Sequence, residues 1–112
     1  MNEAPNRAER PLPLACSLSG PELAVRRGEL GEIFEGRLDA EELDDGYEFL
    51  FPGDGEWAAR LAEFVVSERA CCPFLAFELR FEPGGGPIRL RIRGPEGAKS
   101  IVAEMVAGAA MR

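Results

Sequence analysis

Apolar side chains recurring every three to four residues mark helices in this chain, and apolar residues alternating with polar ones mark strands. The alternation is plainest late in the sequence. Leu75, Phe77, Leu79 and Phe81 interleave with Ala76, Glu78, Arg80 and Glu82. Beyond the turn-rich stretch Pro83 to Pro87, Ile88, Leu90 and Ile92 interleave with Arg89, Arg91 and Arg93. This predicts a hairpin with one apolar face and, on the other, glutamates opposite arginines. A second hairpin is predicted at the Asp45–Gly46 turn signal. Tyr47, Phe49 and Phe51 alternate with Glu48 and Leu50, and the acidic segment from Arg37 to Asp45 supplies the partner strand, with Leu38 or Leu43 turned inward.

The helical period appears in three places. Ser19 and Glu22 form a capping box with Pro21 in the first turn, and the helix runs to Glu35, where Gly36 ends it. Its inner stripe is Leu23, Leu30, Ile33 and Phe34, bordered by Arg26 and Arg27. Asp54 caps a second helix whose one face carries Trp57, Leu61, Phe64, Val65 and Glu68; Pro73 stops it. Gly94–Pro95–Glu96 opens a third helix, with Ile101, Val102, Met105 and Val106 inward. A short strand at Leu12 to Ser17 precedes the first helix. The expected class is α+β in the order β-α-β-β-α-β-β-α: an antiparallel sheet from two hairpins plus the N-terminal strand, with three helices on one face. Residues 1–11 read as a flexible tail and 12–112 as a single domain.

Composition narrows the function classes. At 46% hydrophobic and 29% charged, the 112 residues suit one globular core. The net charge of −7 disfavours nucleic acid and anionic membrane surfaces as partners. No apolar run is long enough for a membrane span or a signal peptide. Three cysteines are too few, and odd in number, for a secreted disulfide framework, which points to a reducing, cytoplasmic setting. Histidine is absent, which removes Ser-His-Asp and Cys-His catalysis and every mixed Cys/His zinc pattern.

The candidate chemistry therefore centres on the adjacent pair Cys71–Cys72 at the end of the second helix. A bond between neighbouring cysteines closes a small strained ring and is not expected. Two such thiols, with Cys16 as a third, instead suit one thiophilic ion, Cu(I) or Hg(II), or Zn(II) if a fourth donor such as Glu68 or water joins. Against this stands an ordinary packing role, because cysteine is among the most buried residue types and both thiols flank an apolar stripe. Glu68 lies near the middle of that stripe and needs a counter-charge, for which Arg26 or Arg27 is the candidate. The helix C-terminus and Glu68 both raise a thiol pKa, which weighs against a bare reactive thiolate. Gly97–Ala98–Lys99–Ser100 fails as a phosphate loop because no glycine directly precedes the lysine.

The string Glu68–Arg69–Ala70–Cys71–Cys72–Pro73–Phe74–Leu75, with Phe77–Glu78–Leu79 and Gly94–Pro95–Glu96–Gly97–Ala98–Lys99 after it, resembles a group of small, uncharacterised bacterial proteins. The resemblance spans about nine-tenths of the chain, from Cys16 to the last helix, with Glu-Arg-x-Cys-Cys-Pro-Phe as its most specific part. It brings no established activity, and a metal-handling role would be in keeping with it. Three readings stand: a soft metal or metalloid site, a thiol redox or transfer enzyme, and a protein-protein module or homodimer formed through a sheet edge or an apolar helix flank.

Overall fold

The structure is a computed structural model that describes residues 21–110, with side chains described from residue 25 to 106 apart from Arg27. The strand expected at Leu12 to Ser17, the Ser19 cap, Cys16 and the boundary between tail and domain lie outside the described residues. Within them the class is α+β. The elements are α1 (Pro21–Glu35), β1 (Asp39–Leu43), β2 (Gly46–Phe51), α2 (Gly55–Cys71), β3 (Ala76–Phe81), β4 (Ile88–Arg93) and α3 (Ala98–Ala110). A 3-10 turn at Pro83–Gly85 joins β3 to β4.

Both expected hairpins form and are joined through β2 and β4 into one antiparallel sheet of order β1-β2-β4-β3. Because side chains alternate across a strand, the register sorts the residues by face. Phe49 stands beside Leu90, and Leu90 beside Leu79, on one side; Glu48 stands beside Arg91, and Arg91 beside Glu78, on the other. The helices cover the apolar side. Phe34 of α1 is fully buried, with ring centroids 4.9 Å from Phe49 and 5.6 Å from Phe64. Phe64 of α2 in turn meets Phe77 edge-on at 6.1 Å. Burial of each such ring stabilises the fold by about 2–3 kcal/mol.

Several local expectations need correction. The turn between β1 and β2 is Asp44–Asp45, and Gly46 is already the first residue of β2. Gly46 is required by crowding: a Cβ there would lie 1.8 Å from the carbonyl oxygen of Ile92 on β4. Gly36 ends α1 as expected, but the indole of Trp57 would sit 2.3 Å from a Cβ at that position, so side-chain room is its constraint. Neither Leu38 nor Leu43 turns inward. Leu38 is exposed, and the pairing of Leu43 with Gly46 and of Glu41 with Glu48 puts Leu43 on the polar face. Phe81 occupies an inward position yet remains 54% exposed, because β3 is an edge strand among the described residues.

Candidate functional site

The site is built at the C-terminal end of α2. Asp54 starts that helix by accepting a hydrogen bond from the Trp57 amide (2.8 Å), which fixes its phase. Leu61, Phe64, Glu68 and Cys71 then fall on the buried face. Pro73 cannot continue the helix; Cys72 leaves it at φ −124°, ψ 78° while its amide still bonds the Glu68 carbonyl at 2.7 Å. The thiol of Cys72 is thereby folded back beside the Glu68 side chain.

Glu68 is only 1% exposed. Its Oε1 accepts from Arg26 twice, from Nη2 at 2.9 Å and from Nε at 3.2 Å, so the counter-charge comes from α1. Arg26 also reaches Glu29 at 3.1 Å and passes 5.9 Å from the centroid of the Phe64 ring. The side chain of Arg27, the other candidate, lies outside the described residues. The second carboxylate oxygen, Oε2, accepts from the Cys72 thiol at 3.3 Å. The Cys72 and Cys71 sulfurs are 3.9 Å apart, both buried.

The two cysteines differ in state. Cys72 carries a free thiol, whereas Cys71 is disulfide-bonded. The expected absence of a bond between the neighbours therefore holds, while the disulfide at Cys71 was not anticipated from an odd cysteine count. The Cys72 thiol is pushed up to about 12 from an ordinary 9.0, first by burial and then by the charge and hydrogen-bond acceptance of Glu68; the Arg26 charge opposes this. The upward direction agrees with the expectation from the helix terminus and Glu68, but loss of water is the largest cause.

Glu68, Cys71 and Cys72 each offer one donor atom, and all three lie within 4.8 Å of one another. Two sulfurs and a carboxylate oxygen are donor types able to hold an ion, the Cys71 sulfur only when its disulfide is open. Cys16 lies outside the described residues. A groove between α1 and α2, lined by Arg26, Glu29, Glu32, Arg60, Glu63 and other residues, leads to the Arg26 guanidinium from solvent. Among the described residues no helix is long and apolar enough to cross a membrane.

Glu48 is a buried charged residue that the sequence did not single out. It is 8% exposed and is held by Arg91 Nε at 2.6 Å and Arg89 Nη1 at 2.9 Å. Its carboxyl is held below the usual range, chiefly by the hydrogen bond from Arg91, with burial opposing and Arg89 assisting. The alternation of Glu48 with aromatic residues was visible, but its arginines come from a strand whose position depends on sheet order. Compared with protein-family models, with curated proteins and with solved structures, the chain matches none.

Proposed function

We propose that the chain binds a soft metal or metalloid ion, Hg(II), Cu(I) or Zn(II), through Cys71 and Cys72, with Glu68 as an oxygen donor and Cys16 as a third sulfur. The observation that carries this reading is the approach of the Glu68, Cys71 and Cys72 donor atoms to within 4.8 Å of one another. The 3.9 Å between the two sulfurs matches the separation that two bonds of about 2.3 Å to one ion produce. Arg26 holds Glu68 through Oε1 alone, so Oε2 is the oxygen an ion would take in place of the thiol proton.

Binding requires Cys71 as a thiolate, so the disulfide must first be opened. A dithiol reductant supplies two electrons and two protons, leaving two protein thiols and its own disulfide. Each thiol then loses its proton to buffer as the ion–sulfur bond forms. The reading suits a reducing cytoplasmic compartment, where such thiols persist. The net charge of −7 and the carboxylates along the groove attract a cation.

A thiol redox role is the second reading, favoured by one observation: a disulfide at Cys71 beside the free thiol of Cys72. The raised pKa of Cys72 counts against that thiol as the attacking nucleophile. The two readings separate in a titration of the reduced protein with Hg(II), Cu(I) and Zn(II). Tight binding of one ion per chain, lost in a Cys71→Ser, Cys72→Ser double variant, is expected. Equal binding by that variant and the parent overturns the metal reading.

A further inference from the structure

Among the described residues the two edges of the sheet, β1 and β3, carry different charge patterns, and only β3 can pair with itself. β1 itself contributes Asp39, Glu41 and Glu42 and no basic residue, with Lys99 of α3 already engaged by Glu42. Any antiparallel pairing of β1 with its own copy leaves carboxylates opposite carboxylates or without an opposing base, the usual protection of an open edge. β3 alternates signs instead: Glu78 and Arg80 stand on the polar face with Glu82 just beyond, and Phe77, Leu79 and Phe81 on the apolar face.

We infer that β3 is the contact through which two copies of this chain join, antiparallel about a two-fold axis at Leu79, into one continuous sheet. The register follows from symmetry and charge. A two-fold axis perpendicular to the sheet keeps each face on its own side, so one-residue slips, which would set polar positions against apolar ones, are forbidden. Centring the axis on Glu78 opposes that carboxylate to its own copy. Centring it on Arg80 opposes guanidinium to guanidinium and Glu78 to the partner's Glu82. Centring it on Leu79 places Glu78 opposite the partner's Arg80, Arg80 opposite the partner's Glu78, and Phe77 opposite the partner's Phe81.

The side chains are placed for this exchange. Glu78 is 62% exposed and its two arginine contacts on β4 are long, at 3.8 and 3.9 Å. Arg80 is 73% exposed and rests on Glu82, which Arg89 also holds, so Glu82 stays paired when Arg80 turns away. Phe81, half uncovered in the single chain, gains the partner's Phe77 as a neighbour. This contact does not involve Cys71, Cys72 or Glu68, and it stands whether or not an ion binds there.

Light scattering on the full chain across a concentration series tests the inference. The parent is expected at twice the 12.2 kDa chain mass. Arg80→Glu and Glu78→Arg, each of which opposes like charges across the axis, are expected to run as monomers. The double variant carrying both changes restores opposite charges and is expected to dimerise again, which separates lost pairing from lost folding. A parent that stays monomeric at every concentration, or single reversals that leave the dimer intact, overturns it.

Discussion

Glu68 and Glu48 are both carboxylates withdrawn from water, yet the fold treats them in opposite ways. Glu48 lies on the polar face under two arginine side chains that are themselves 40% and 44% exposed, and both of its oxygens are taken by guanidinium nitrogens. Glu68 is sealed among apolar side chains with one arginine on one oxygen and a thiol on the other. The first is saturated by a screened network. Among the described residues the second has one arginine as counter-charge, its other oxygen accepts from the Cys72 thiol, and the Cys71 sulfur lies close by. A carboxylate that serves stability alone is expected to look like Glu48, and the unequal partnering of Glu68 among the described residues supports the proposed role for the end of α2.

The largest effect expected from this contrast is on stability. Removing one partner of a buried pair leaves an uncompensated charge, so Arg26→Ala should destabilise the protein by about 3–5 kcal/mol, read by denaturant unfolding. Arg89→Ala, which leaves Glu48 with Arg91 and water, should cost far less, because the arginine is exposed and its charge is screened. Equal costs for the two variants would erase the distinction between the sites.

The next effect is on thiol reactivity. With its pKa raised from 9.0 to about 12, Cys72 holds roughly a thousandfold less thiolate at a given pH than an ordinary thiol. Iodoacetamide labelling of Cys72 in the native protein should be correspondingly slow and still rising at about pH 10. In Glu68→Gln, which removes a negative charge, the profile should move to lower pH. A plateau at or below 9.0 in the parent would contradict the burial and charge described for this site. Linkage gives the matching sign: the neutral thiol's contribution to stability is whole below 9.0 and is lost as pH rises toward about 12.

The smallest effect belongs to Glu48. Its folded pKa is depressed, so its contribution is present above the ordinary carboxylate value of 4.5 and is lost as pH falls through the lower folded value. Glu48→Gln should cost about 1 kcal/mol near neutrality, less in high salt, with the difference from the parent closing in acid. A cost independent of both pH and salt would mean that shape, and not charge, matters there.

How far these sites could be read in advance depended on the distance over which they are specified. The place of Glu68 on α2 follows from a local period of about 100° per residue, and Arg26 bordered the stripe of α1, so the pair was legible once two helices were expected to touch. Whether the Cys71 and Cys72 sulfurs approach each other was left open by the sequence, since Pro73 marks the helix end but does not fix the two side chains; they lie 3.9 Å apart. Glu48 was not, because β2 meets Arg89 and Arg91 only through the order β1-β2-β4-β3, which no local pattern encodes. The need for glycine at positions 36 and 46 was hidden for the same reason: Trp57 and Ile92 are remote in sequence. Leu38 and Leu43 misled because β1 has almost no apolar alternation of its own, and its register is set by β2.

The most direct test of the proposed site is X-ray absorption at the zinc edge on the reduced protein loaded with one Zn(II) per chain. The account predicts at least two sulfur scatterers at about 2.3 Å together with an oxygen shell near 2.0 Å. A first shell of nitrogen and oxygen alone, with no sulfur, would contradict it.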